Sequence, residues 1–312
     1  VSLWVKKDAD LITMAERTLG KTGKMICAFT YLLLLYSLSA AYISGSSQIL
    51  TEVWNNFSTN YDIPPWLTPI PVLLLFGAFV YAGTASSDYL NRILMLGLVI
   101  TYSTLAFFLP SHVATENFMH CDWNASLTAF SIVITSFGFH IIIPMLCSYL
   151  DYKPKALFLA LMIGSALPLL VYLIWEILIL GIIPLFGEHS ITQAWINDSL
   201  VTQPLQALLS SPWIATAARF FSFFSIVTSF LGVSLSLTHF LSDGLKIKKT
   251  HSGRLLICLL AFVPPLAFVL TGTRHFYMAL EYAGIFVALL LGIYPVLMAW
   301  SSRSQGGEAP LR

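Results

Sequence analysis

The chain has 312 residues, of which 57% are hydrophobic and only 10% charged, and its 16 Lys and Arg nearly balance its 15 Asp and Glu. One core cannot hide that much apolar surface, so the composition excludes a soluble domain and points to an all-α polytopic membrane protein. A net charge of +1 leaves no footprint for nucleic acid, and the four cysteines, Cys27, Cys121, Cys147 and Cys258, lack the spacing of a metal site or a disulfide framework.

A transmembrane helix needs about 20 mostly apolar residues. Eight runs qualify, at about residues 25–47, 66–83, 89–110, 125–148, 156–184, 213–241, 254–272 and 276–300. Residues 1–24 read as a cytoplasmic loop with a short helix. Within it AERTLGKT, Ala15 to Thr22, nearly matches a phosphate-binding loop, but Ala15 stands where the motif needs glycine and DLITMAER before it looks helical. Gly20 reads instead as a helix C-cap. The opening VSLWV resembles the end of an apolar element, which leads us to expect further sequence upstream. Residues 25–110 supply three helices and residues 125–300 five. Between the fifth and sixth runs, residues 185–212 carry ITQAW and PLQALL as short amphipathic pieces and no basic residue, the pattern of an external lid. Residues 301–312 form a tail.

Basic residues set the orientation, because Lys and Arg near helix ends stay cytoplasmic. The segment before the first run, then every second connection, then the tail hold fourteen of the sixteen, while the opposite side has only Arg274 and Arg219 lies inside a run. Both termini are therefore expected in the cytoplasm. No H-E-x-x-H or G-x-S-x-G motif occurs in the runs, which argues against a membrane-embedded enzyme. Asn56, Asn124 and Asn197 head glycosylation triplets of the kind polar loops contain by chance.

The fourth run contains ITSFGFHIIIP, Ile134 to Pro144. Backbone polar groups inside a bilayer must be satisfied within the protein, so a break there survives only where it is packed or lines a cavity. Gly138 lies halfway along the run with Thr135 and Ser136 before it, His140 after it, and Pro144 removing an amide donor further on. This is the pattern of a discontinuous helix whose freed amides and carbonyls grip a zwitterion and an ion. A helix packing through small residues is the plainer alternative.

TSFGFHIIIPMLCSYL from Thr135, YLIWEILILGIIPLFG from Tyr172, TSFLGVSLSLTHFLSDGL from Thr228, and AERTLGKTGK with YLLLLYSLSAAYISG together resemble the hydroxy and aromatic amino acid permeases of bacteria. The resemblance implies the leucine-transporter fold of the APC superfamily, two inverted repeats of five helices plus an extra helix. The eight runs would be its third to tenth helices, so the first two helices and the last are expected to be missing from this chain. It further implies a secondary transporter of the bacterial inner membrane that imports an aromatic amino acid, tyrosine or tryptophan, by proton symport. The alternatives are a truncated remnant that does not transport, or a carrier for another neutral amino acid. No cofactor is implied beyond the coupling ion, a proton with Na⁺ as the alternative, and the partners are the substrate and the lipid bilayer, with no oligomeric state indicated.

By the same resemblance, the substrate-binding break falls on Thr135, Ser136, Phe137, Gly138 and Phe139, where either phenylalanine can stack on an aromatic substrate or simply fill space toward lipid. His140 is a titratable group near mid-membrane and a proton carrier or a hydrogen-bonded structural residue. Thr228 and Ser229 sit where the fold places its second ion site, although mid-helix hydroxyls often bond back to their own backbone. Glu176, Arg219 and Glu281 lie toward the outer ends of their runs, and unpaired burial is costly. Arg219 is expected to pair with Glu176 or Glu281, as permanent glue in the first case and as a gate in the second.

Overall fold

The structure is a computed structural model that describes residues 10–57, 63–64, 66–120, 126–139, 143–209, 211–248, 250–271 and 275–304. Among these residues the regular elements are all helical and no strand occurs. Six of the described helices are long and apolar enough to cross a membrane: Leu11–Asn55, Thr84–His112, Pro154–Ile182, Pro212–Leu245, His251–Leu270 and His275–Arg303.

Helix α1, Leu11–Phe57, opens with a short stretch that ends at Gly20, whose φ of 74° only glycine adopts without steric cost. Lys24 reaches back across this break to Glu16 at 2.6 Å. Beyond it α1 does not stop near residue 47 but continues through the polar TEVWNNF. Helix α2, Pro69–Ala82, has 14 residues, about 21 Å at 1.5 Å per residue, less than the bilayer core. Its bounds follow from punctuation. Pro69 and Pro71 suit a first turn, where no amide donor is needed, and Gly83 at φ 111° ends the helix. That single glycine is the whole connection to α3, Thr84–Phe108, where the sequence suggested a longer loop. The fourth expected run is divided into α4, Ser126–Ser136, and α5, Ile143–Tyr149. Next come α6, Pro154–Ile182, and, within the stretch read as a lid, α7, Ile191–Ile196, and α8, Thr202–Leu208. The chain continues with α9, Pro212–Leu245, α10, His251–Leu270, α11, His275–Val287, a π turn at Ala288–Ile293, and α12, Tyr294–Ser304.

These helices form two compact units. The first holds the described residues of Val1–Leu34, Asp122–Leu173 and Leu280–Arg312, the second those of Leu35–Cys121 and Ile174–Ala279. In lipid the apolar effect does not favour helix association, which falls to close packing and hydrogen bonds. Within the second unit, α3 and α9 approach so tightly that a Cβ on Gly97 would fall 2.7 Å from the Phe224 ring. A cluster of fully buried side chains, including Leu105, Leu109, Ile183, Leu205 and Ala218, joins the ends of α3 and α6 to α8 and α9. Within the first unit, α4 packs on the π turn, and the Ser301 hydroxyl donates to the Thr18 carbonyl. The outward leucines of α6, among them Leu159, Leu167 and Leu170, are exposed in the isolated chain, as a lipid-facing surface requires.

Candidate functional site

Helix α4 runs regularly to Ser136 and then tightens. The Phe137 amide donates to the Ile134 carbonyl at 3.2 Å, Gly138 to Thr135 at 3.0 Å, and Phe139 to Phe137 at 2.9 Å. None of these is the four-residue bond of an α-helix, so the spiral closes into turns, and the next helix begins at Ile143. The local chemistry accounts for this. Glycine weakens a helix by about 1 kcal/mol relative to alanine and proline by about 3 kcal/mol, and Pro144 stands in the first turn of α5, where its missing amide does no harm. Thr135, Phe137, Gly138 and Phe139 are half-buried and Ser136 is exposed. His140, singled out as a proton carrier or structural histidine, lies outside the described residues.

Two elements meet this interruption that the sequence did not single out. Tyr172 of α6 donates its hydroxyl at 3.3 Å to the carbonyl of Ser136, the last residue of α4. Its ring meets Phe137 edge to face, centroids 5.6 Å apart at 85°. The π turn of the last span is the second element. A Cβ on Gly138 would lie 3.1 Å from the Thr135 carbonyl oxygen and 4.0 Å from Leu291 Cδ1. Pro295 has no amide for the Leu291 carbonyl one turn back, and the Tyr294 amide reaches Leu289 instead, the five-residue spacing of a π turn. The break therefore faces a second distorted helix, with Phe137 and Tyr172 as aromatic neighbours. The Ser136 hydroxyl turns back to Ile132 at 3.0 Å.

Thr228 and Ser229 lie in the middle of α9, in the other unit. Thr228 is buried, and its hydroxyl is turned to its own helix, with Phe224 O at 2.7 Å and Ser225 O at 3.1 Å. Its proton is thus spoken for, and only its oxygen lone pairs remain to meet an ion. Ser229 is half-buried.

The ion pair expected of Arg219 has a different partner. Arg219 Nε donates to Glu52 Oε1 at 2.8 Å and Nη2 to Gln206 Oε1 at 3.2 Å, with the charged side chains 33% and 21% exposed. Glu52 replaces the expected Glu176 or Glu281 because α1 extends to Phe57, lifting an acid assigned to a loop onto a helix beside α9. Glu176 is exposed on α6, and Glu281 is half-buried on α11 in the first unit.

The same end of the second unit holds a polar cavity of about 660 Å³, lined among others by Ser44, Ser47, Gln48, Glu52, Asp198 and His275. Residues 198–200 are fastened beside it. Gln48 Nε2 donates to Asp198 O at 2.8 Å, and Gln48 Oε1 accepts from Leu200 N at 3.1 Å. The Asp198 carboxylate accepts from the Phe276 and Tyr277 amides at 3.1 and 3.2 Å, capping the first turn of α11 where a negative charge suits the helix dipole. Tyr277 donates to Ser199 O at 2.9 Å.

Of the residues proposed from sequence, the structure thus gathers Thr135 to Phe139 at one interrupted helix, keeps Glu281 in the same unit, and places Thr228, Ser229, Glu176 and Arg219 in the other. Comparison with known proteins adds the rest. Residues 1–312 match the tryptophan/tyrosine permease family. Tyrosine-specific transport system 2 of Haemophilus influenzae is 32% identical over 98% of this chain and 75% of its own length. Tyrosine-specific transport system 1 of the same organism is also 32% identical, over 98% of this chain and 76% of its own length. A tryptophan-specific transport protein, again of H. influenzae, is 27% identical over 95% and 74%.

Proposed function

The chain belongs to the tryptophan/tyrosine permease family, a membrane transporter and not an enzyme, and from that premise we propose that it imports an aromatic amino acid, tyrosine first, by symport with protons. Two relatives at 32% identity are named for tyrosine and one at 27% for tryptophan. In this reading the eight apolar runs are the third to tenth helices of a leucine-transporter-like inverted repeat in a bacterial inner membrane, with both termini in the cytoplasm. The interruption at Phe137–Phe139 carries the proposal. It redirects the amides of residues 137–139 from four-residue helical bonds into tighter turns inside an otherwise apolar span, and main-chain groups displaced from the helical pattern are what an ammonium and a carboxylate meet at a discontinuous helix where water is scarce.

Thr135, Ser136 and Gly138 then supply backbone groups to the zwitterion. Phe137 or Phe139 offers an edge or face to the substrate ring, an arrangement worth roughly 0.5–1.5 kcal/mol beyond burial. Tyr172 holds the Ser136 carbonyl and fixes the Phe137 ring. Alternating access rocks one set of helices around this break. His140, Thr228 and Ser229 are the residues to examine for coupling. Radiolabelled tyrosine uptake into right-side-out vesicles, with and without a protonophore, tests the proposal. Gradient-driven accumulation is the expected result, and uptake that is absent or indifferent to the gradient overturns it.

A further inference from the structure

At the opposite end of the second unit from the lid, a pocket of about 180 Å³ opens between the end of α2, the start of α3, the last turns of α9 and the first turns of α10. Its floor is apolar or satisfied, with Val80, Thr238, Ser242 and Ile257 all buried. Its rim is polar and exposed, made by Thr84, His239 and Arg254, and none of the lining residues is acidic.

The rim groups are already oriented. His239 Nε2 lies 3.2 Å from Thr84 Oγ1, and just outside the pocket His251 Nδ1 lies 2.9 Å from the hydroxyl of Tyr81. Each contact fixes a ring and leaves its second nitrogen for another partner. The two arginines at this end differ. Arg92 is neutralised by Asp88 at 2.9 Å, whereas the Arg254 guanidinium has no carboxylate among the described residues. Next to the rim, α10 presents Leu255, Leu256, Leu259 and Val263, each about half exposed. The pocket therefore joins an arginine with no carboxylate partner among the described residues and an imidazole to an apolar strip, at the end where Lys246 and Lys248 also lie and where the basic asymmetry of the sequence puts the cytoplasm.

We propose that this pocket seats the phosphate of an anionic phospholipid of the inner leaflet, with Arg254 and His239 as donors and the acyl chains along the α10 strip. A free inorganic anion would use the donors but has no need of the strip, so the lipid is the occupant that fits both halves. Basic pockets between membrane helices on the cytoplasmic side are where such headgroups bind.

Native mass spectrometry of the full chain, released from micelles holding equal amounts of phosphatidylglycerol and phosphatidylcholine, tests this. One well-placed basic residue near the surface predicts a preference of roughly 5-fold for the anionic lipid. Arg254→Gln is expected to bring retention close to parity, while Arg92→Gln, whose arginine is already paired, leaves the preference in place. His239→Gln provides a second variant should Arg254→Gln melt early. Equal retention of the two lipids by the unmodified chain overturns the proposal. So does a preference that survives in both pocket variants, and so does displacement of the lipid by millimolar inorganic phosphate, which would assign the pocket to a free anion.

Discussion

Two stretches of the chain begin with the same three residues, and only one breaks. Thr135-Ser136-Phe137 leads into Gly138 and the helix ends, whereas Thr228-Ser229-Phe230 leads into Leu231 and Gly232 and α9 continues to Leu245. The downstream residues and the packing around each stretch account for the difference. Pro144 stands six residues after Gly138, while α9 has no proline after Pro212. Phe230 and Leu231 are 1% and 0% exposed, with the Phe230 ring stacked on Phe262 at 5.8 Å, so leaving the helix would empty a packed interface. Phe137 is half-buried against the edge of Tyr172, and its neighbourhood tolerates the break. Serine and threonine do not decide the outcome. Glycine placement, a downstream proline and burial do.

The sharpest way to erase the contrast is to give the first stretch the second one's punctuation. Gly138→Ala combined with Pro144→Ala shifts the balance toward continuous helix by about 4 kcal/mol on intrinsic propensities. Amide exchange at residues 137–139 should slow and tyrosine uptake should collapse while the protein stays folded. Persisting fast exchange would mean that surrounding contacts, not these two residues, impose the interruption. Next in size, Phe230→Ala opens a cavity in the packed stretch and should cost about 3 kcal/mol of stability in a denaturant titration. A loss below about 1 kcal/mol would show that burial is not what holds α9 straight.

A smaller effect is expected where the broken stretch meets α6. Tyr172→Phe keeps the ring and removes one hydrogen bond to the Ser136 carbonyl, worth about 1 kcal/mol, and should raise the KM for tyrosine several-fold with little change in kcat. An unchanged KM would remove the hydroxyl from the site. The smallest effect belongs to Thr228→Val. Its hydroxyl bonds its own backbone, so stability should move by less than about 0.5 kcal/mol. Retained gradient-driven uptake would leave the hydroxyl a purely local role, and loss of the gradient dependence alone would assign it to ion coupling.

Local sequence revealed the interruption because glycine and proline act on their own neighbours. The short helices around ITQAW and PLQALL were legible for the same reason, as was the break of α1 at Gly20. Long-range pairings were not. Glu52 and Arg219 are 167 positions apart, and TEVWNNF reads as loop by polarity although it is helical. Tyr172 stood inside a recognisable stretch, but its contact with Ser136 depends on how α6 packs, which no spacing rule states. The π turn left a trace, Pro295 four residues after Leu291, that acquires meaning only once Leu291 is seen beside Gly138. The second apolar run looked long enough to span, but Pro69 and Gly83 cut it to 14 residues.

The fastening of residues 198–200 has a consequence for how such chains can diverge. Gln48, Asp198 and Tyr277 contribute the side chains, and every atom they grip belongs to the main chain: the carbonyls of Asp198 and Ser199 and the amides of Leu200, Phe276 and Tyr277. Main-chain atoms are the same whatever residue bears them. Ser199 and Leu200 can thus change identity without losing these bonds, whereas Leu205 and Gln206 further along the segment hold it through their side chains.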